Sequence, residues 1–262
     1  MGFSCDDDRL KVKSLPYQRV YDERGCASSP EAWQEFVEDL VDEWRYLYID
    51  DLKEQGYEDD GDFDCYPQNN LVYCCDNSMG GARGDQWHSQ HRADIRMIAV
   101  YGVSEPVNQK RDSSRIRYHQ DRRVREFGDF KNELAWDKGH YLAHSIGGQI
   151  DNGIFAQRRD INRGWSTLGR IYRAMERYAL ENPGTFTFCR PIYGDGSDHP
   201  FFVELGVLKT DGQWWVEVFP NRYRYTPWKG LENAPQWYQD YVREEREKYQ
   251  RYLQSRKPKK DK

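Results

Sequence analysis

The stretch from Ser29 to Gly56 constrains the fold more than any other part of the chain. Ser29, Pro30 and Glu31 predict a helix start: a hydroxyl to cap free amides, a proline where no amide partner is needed, and a carboxylate at the positive end of the helix. Trp33, Phe36, Val37, Leu40, Val41, Trp44, Leu47 and Tyr48 then recur at helical spacing, and Gly56 can end the run, so a helix is predicted over 30–54. Its apolar stripe needs a broad surface to cover it. Strand-like segments supply one at IRMIAVYGV (95–103), TFTFCRPIYG (185–194) and FFVELGVLKTDGQWWVEVF (201–219), the last with a hairpin at Asp211-Gly212. The expected class is α+β with an antiparallel sheet.

Aromatics make up 15% of the chain, with 19 Tyr and 9 Trp, so the core is expected to use few, large side chains. At 262 residues there is room for one good core and a smaller appended unit. No run of 18 apolar residues exists, so no membrane span is expected. The start, MGFSCDDDRLKVK, lacks an apolar segment of the secretory kind, and its Met-Gly matches a myristoylation site only weakly, with Cys5 and Asp6 in the following places. Six cysteines in so long a chain define no disulfide framework. Free thiols in a reducing compartment are expected, Cys74-Cys75 included, since adjacent cysteines near His88 and His91 lack zinc-site spacing.

Charge is unevenly divided. Residues 1–80 carry 7 Lys+Arg against 20 Asp+Glu, a balance of −13; the rest carry 32 against 24, a balance of +8. Either both parts are simply solvated, or the basic part meets phosphate while the acidic part tempers it. The expected organisation is an acidic helical region at 1–84, with 1–28 irregular and 56–70 turn-rich, a second unit at 85–232 containing a basic connection at 108–131, and a C-terminal helix and basic tail at 233–262.

The chemistry concentrates in WDKGHYLAHSIGGQ, residues 136–149. His140 and His144 stand four apart, as on a zinc-binding helix, but Tyr141 occupies the place of the usual glutamate, and Gly139, Gly147 and Gly148 break helical continuity. Beyond the glycines come a short apolar run, Ile154-Phe155-Ala156, a polar QRRDINRG, and a helical face of Trp165, Leu168, Ile171, Tyr172, Met175, Tyr178 and Ala179. The helix is expected to be entered at Asn162, which can cap it, and His144 to hydrogen-bond within the loop.

Asp137-Lys138-Gly139-His140, the glycine loop, Gln157, and Asn162 five residues later resemble the DNA/RNA non-specific endonucleases of the ββα-metal (His-Me finger) superfamily, whose signature is Asp-Arg-Gly-His, then Asn-x-x-Pro-Gln, then Asn before a helix. AHSIGG, FAQRRDINRGWS and YRAMERY look most like the branch found in bacterial polymorphic toxins. The resemblance covers 136–180, with weaker likeness over 190–200. Lys138 stands for Arg, Ala156 for Pro and Gly153 for Asn, with Asn152 one place off. Arg170 stands where a carboxylate is common eight residues past the metal Asn. Glu176 is the nearest acid, but fourteen residues of continuous helix is about 21 Å, too far for one ion unless the helix breaks near Gly164.

The resemblance implies a ββα-metal finger and metal-dependent hydrolysis of DNA or RNA phosphodiesters. His140 is the implied general base, its ordinary pKa near 6.5 leaving it largely neutral at cellular pH. Asn162 is the implied ligand of one Mg²⁺ (or Mn²⁺), a neutral oxygen suiting an ion that keeps much of its water. Asp137 is expected to orient backbone or the His140 ring, and Lys138, Gln157 and Arg163 to contact substrate; Arg158 and Arg159 lie nearby. The toxin-like branch implies an effector that is cytoplasmic in its producer, exported by a specialised secretion system, and met by an immunity or inhibitor protein. Two rivals stay open: a finger that binds nucleic acid without cleaving it, and a module whose acidic helix binds a partner.

Overall fold

The computed structural model describes residues 12–56, 63–77, 96–107, 136–148, 153–194 and 199–221. The expected basic connection, the boundary near residue 85, Asn152, the residues before 12 and the C-terminal helix and tail lie outside them. Helix α1 spans Tyr17–Glu23 and α2 spans Pro30–Glu54. Strands follow at Phe63–Gln68 (β1), Leu71–Asp76 (β2), Arg96–Val103 (β3), Trp136–His140 (β4) and Ile154–Arg158 (β5). Then come two helices, Arg159–Asn162 (α3) and Thr167–Glu181 (α4), and strands Phe186–Ile192 (β6), Phe202–Leu208 (β7) and Trp214–Pro220 (β8). Among the described residues no helix is long and apolar enough to cross a membrane.

The class is α+β. Six strands form one antiparallel sheet in the order β1-β2-β3-β6-β7-β8, and β4 and β5 form a separate antiparallel pair. Side-chain alternation divides the sheet into two faces. Cys74, Ile98, Phe186 and Phe188 point to one, where they meet α1 and α2. Tyr73, Cys75, Met97, Cys189, Val203 and Leu205 point to the other, under α4 and the β4–β5 pair. The molecule thus has three layers, helices over sheet over finger. Strands on both sides of the expected boundary near 85 share this one sheet.

Helix α2 forms where its sequence predicts. The Ser29 hydroxyl accepts from the Ala32 amide, and Phe36, Leu40, Trp44, Leu47, Tyr48 and Leu52 are buried. Each such side chain contributes roughly 1.5–3 kcal/mol when removed from water. A polar cluster lies beneath it. Glu204, fully buried, takes Arg190 Nε at 2.7 Å and the Tyr17 hydroxyl at 2.8 Å, while Trp44 Nε1 donates to the Tyr17 oxygen at 3.1 Å. Burial pushes the Tyr17 phenol well above its ordinary range, which keeps it a donor. This cluster helps to anchor α1, a helix in a stretch expected to be irregular, together with Tyr21 packed against Trp33 and Phe36 and the Gln18 amide oxygen, which accepts from the Trp214 amide.

Two further expectations are corrected. Residues 63–76 form a hairpin rather than a turn-rich connection. Cys65 and Cys74 stand directly opposite in that hairpin and are joined by a disulfide, whereas Cys26, Cys75 and Cys189 are buried free thiols. The expectation of free thiols throughout fails because it took no account of strand register.

Candidate functional site

The site is built on a ββα unit. In the β4–β5 pair, Asp137 faces Gln157, Lys138 faces Ala156, Gly139 faces Phe155 and His140 faces Ile154. Gly139 is required by close approach: a Cβ there would lie 2.2 Å from Gln157 Oε1 and 2.4 Å from its Cβ, so the residue before the histidine has no room for a side chain. Asn221 pins the outer edge of β5, taking the Arg158 amide at 3.0 Å and donating to Ala156 O at 2.9 Å.

Helix α3 is a single turn, and the chain then breaks. Gly164 has a left-handed φ of 70°, a conformation that costs glycine little, and a Cβ on it would sit 3.0 Å from Arg173 Cγ. Helix α4 restarts at Thr167 with the Ser166 hydroxyl accepting from the Gly169 amide at 3.0 Å. Asn162 is therefore the last residue of α3 and not the cap of the long helix. Its side chain is released from capping for another role.

That role is set by Asp137. Its carboxylate receives Arg159 Nε at 2.9 Å, Arg163 Nη2 at 3.0 Å together with Arg163 Nε, and Asn162 Nδ2 at 3.2 Å. Four donors fill the four lone-pair positions of a carboxylate. Asp137 has no capacity left for a metal ion or a water proton. It orients Asn162 and the two arginines, not the His140 ring. The same contact fixes the Asn162 amide. A carboxylate accepts and does not donate, so the amide nitrogen must face Asp137, leaving the oxygen as the open acceptor of that side chain.

The other expected residues are placed as follows. Gln157 is only 2% exposed and packs on Gly139, with its amide bonded to the Tyr172 phenol; it supports the hairpin from inside and presents no surface to a substrate. Arg163 is engaged with Asp137 and lies 5.3 Å over the Trp165 ring, its side chain 25% exposed. Lys138 is half-buried on β4. Arg158 is committed to Asp160, which is fully buried, by two bonds of 3.0 and 2.9 Å. His140 ends β4, half-buried, with its ring 6.2 Å from that of His144, which opens a 3₁₀ turn at His144–Ile146. The His140 carbonyl accepts the Tyr172 hydroxyl at 3.3 Å. Tyr172 is buried on α4, and burial raises its phenol well above the ordinary range, so it stays a donor. Its part was not foreseen; in the sequence it reads only as one more residue of an apolar face.

Glu176 sits on α4 beside the 141–146 segment, with Tyr141, Ala143 and Met175 around it, and takes Arg173 Nη1 at 2.6 Å. Burial lifts its carboxyl to about 7, against the pull of Arg173. Among the described residues no group of three or more His, Cys, Asp or Glu is placed to hold a metal. One open amide oxygen does not make a zinc site. It does fit Mg²⁺, which takes oxygen ligands and retains most of its waters.

No family model and no curated protein matches the chain. A solved structure, that of Sda1 nuclease with bound zinc ion, aligns with a TM-score of 0.31 and 16% identity over 64% of this chain and 75% of that one. At that level of similarity, the functional reading has to come from the residues themselves.

Proposed function

We propose that the chain is a metal-dependent endonuclease acting on DNA or RNA through its ββα unit. The observation that carries this reading is the Asp137 contact, which holds Asn162 by its amide nitrogen so that the oxygen is available beside a hairpin ending in His140. Asn162 and water would hold one Mg²⁺. Such an ion supplies positive charge to the scissile phosphate and the departing oxygen. His140 takes the proton of the attacking water, its backbone steadied by Tyr172. Arg163 and Lys138 offer positive charge to phosphate oxygens; with backbone contacts alone, little sequence preference is expected. Asp137, Arg159 and Gln157 position these groups. The sequence resemblance adds a toxin's role, delivery to a competitor cell, and an immunity protein; that part of the proposal rests on the motif residues alone.

The test is digestion of plasmid DNA and of RNA with Mg²⁺ and with EDTA. His140→Ala is expected to lower the rate by about 10²–10⁴-fold, the range for a lost general base, with unchanged circular dichroism. Asn162→Ala should lower activity and Mg²⁺ affinity together, the latter read by titration calorimetry. A folded His140→Ala protein that cuts at the wild-type rate removes the assignment. A second reading, binding without cleavage, is favoured by one fact: Arg170 stands eight residues past Asn162, where the resembled family commonly carries a carboxylate. Retarded mobility of nucleic acid with no cleavage under any divalent ion would select it.

A further inference from the structure

The exposed face of α4 carries a stripe that the hydrolytic site does not use. Arg170, Arg173 and Arg177 fall at i, i+3 and i+7, all exposed, which places them within about 60° of one another around the helix. Ala174 flanks that stripe, and no carboxylate interrupts it before Glu181 at the far end. The one acid that pairs with the stripe, Glu176, is recessed, its side chain 13% exposed against 54% for Arg173. Among the described residues Arg170 reaches only the neutral Thr167 hydroxyl, at 3.0 Å, and Arg177 pairs with no carboxylate. The acidic side of the molecule behaves differently: Arg19, Arg24 and Arg45 each reach an Asp or Glu.

We infer that this stripe is a track for the phosphate backbone of a nucleic-acid strand, leading away from Asn162. The inference rests on the nuclease reading for its ligand and on the helix surface for its location. Arg170 lies eight residues beyond Asn162, with only the break at Gly164 and the Ser166 cap between them, so the stripe starts beside the site. From Arg170 to Arg177 the helix rises about 10 Å, the axial length of about three phosphates of one strand at 3.4 Å each. Cations left without carboxylates on one face of a helix are what a repeating anion can neutralise. Contacts of this kind add affinity without sequence preference.

The experiment measures binding of a short duplex DNA in EDTA across a salt series, and cleavage separately with Mg²⁺. Replacing both Arg170 and Arg177 by Gln should reduce the slope of log affinity against log salt by about 1.8, since each lost phosphate contact accounts for about 0.9. KM should rise and kcat stay unchanged. Arg170→Lys with Arg177→Lys should restore most of the slope. The control replaces Arg19 and Arg24 by Gln, removing the same charge from the opposite face, and should leave the slope alone. If the control lowers the slope equally, the effect is bulk charge and the track is wrong. A folded Arg170→Gln, Arg177→Gln protein with the wild-type slope overturns the track and leaves the nuclease reading standing, provided wild type cleaves. A wild-type protein that neither binds nor cleaves removes both.

Discussion

Helices α2 and α4 lie on opposite faces of one sheet, both amphipathic and both capped by a serine, yet they do different work. Helix α2 has 25 residues with nine acids and two bases; α4 has 15 with two acids and three bases. The inner face of α2 is the larger and more aromatic, and it closes over a buried Glu204–Arg190 pair. The inner face of α4 is smaller, and it engages the finger through Tyr172, which donates to the His140 carbonyl. The difference puts the larger apolar core on one face and the proposed site on the other. It also disposes of the idea that the acidic helix restrains the site by lying against it, because the sheet stands between them. Helix α2 completes the core.

The largest expected effect tests that division directly. Trp44 is 1% exposed and central to the α2 face. Trp44→Ala should cost about 3–5 kcal/mol, from lost burial and the cavity left behind. At about 2–4 °C per kcal/mol for a chain of this size, Tm should fall by about 6–20 °C. Below the lowered transition, kcat and KM should match wild type. A large change in kcat while the protein is still folded would show that the sheet transmits what it is here taken to insulate.

The next effect is on the α4 face and depends on pH. Burial holds the Glu176 carboxyl at about 7, above its ordinary 4.5, so the folded protein keeps a proton that the unfolded chain has released. The stability this group contributes is complete below about pH 4.5 and is lost as pH rises through about 7. Glu176→Gln removes that loss. At pH 8 the variant should gain at most about 3 kcal/mol relative to wild type, and at pH 4 nothing, when melting is followed at both values. A variant that loses stability at pH 8 and none at pH 4 would mean that the Arg173 pair, which favours the ionised carboxylate, outweighs burial at this position. The same change at Asp42, 76% exposed on α2, is the control, with an effect within about 0.5 kcal/mol.

What was legible in the sequence follows from whether the determining contacts are local. Helix α2 was readable to its ends because cap, proline and stripe lie within it, and β3, β6 and the β7–β8 hairpin were readable from apolar runs and Asp211-Gly212. The β1–β2 hairpin was not: Pro67 and the acids around it look like a turn, and only an edge position lets a strand carry a proline. The Cys65–Cys74 bond required the register of two strands that had not been recognised. At the site, the Asp-Lys-Gly-His spacing, Gln157 and Asn162 all fall on the ββα unit, but their partners came from elsewhere. Asp137 is met by arginines 22 and 26 residues later, and nothing local says that a carboxylate at the head of a strand will be filled by them. Asn162 was read as a cap because asparagine caps well. The competing signal, Ser166 beyond a glycine, was present and won because Gly164 lets the chain turn before the long helix begins.

The smallest effect separates the two faces most cleanly. Ser29 and Ser166 make the same kind of bond, each hydroxyl accepting from the amide three residues on, at 3.1 and 3.0 Å. Replacing either by alanine should cost about 1 kcal/mol and lower Tm by a few degrees. On stability alone the two variants should be hard to tell apart. They should part in function. The Ser29 cap begins a helix that reaches no proposed site residue. The Ser166 cap, four residues after Asn162, fixes where α4 starts, and the Ser166 amide also bonds to Asp160 O, which ties the cap back to α3. Loosening it should let the α3–α4 junction fray and the Asn162 amide wander from Asp137. Ser166→Ala is therefore expected to need more Mg²⁺ for half-maximal cleavage, while Ser29→Ala keeps the wild-type requirement. Thr in place of Ser166 retains a capping hydroxyl and should recover both stability and metal requirement. If Ser29→Ala and Ser166→Ala shift the Mg²⁺ requirement equally, the two faces are coupled through the sheet, and their division into a stabilising and a chemical side has to be abandoned.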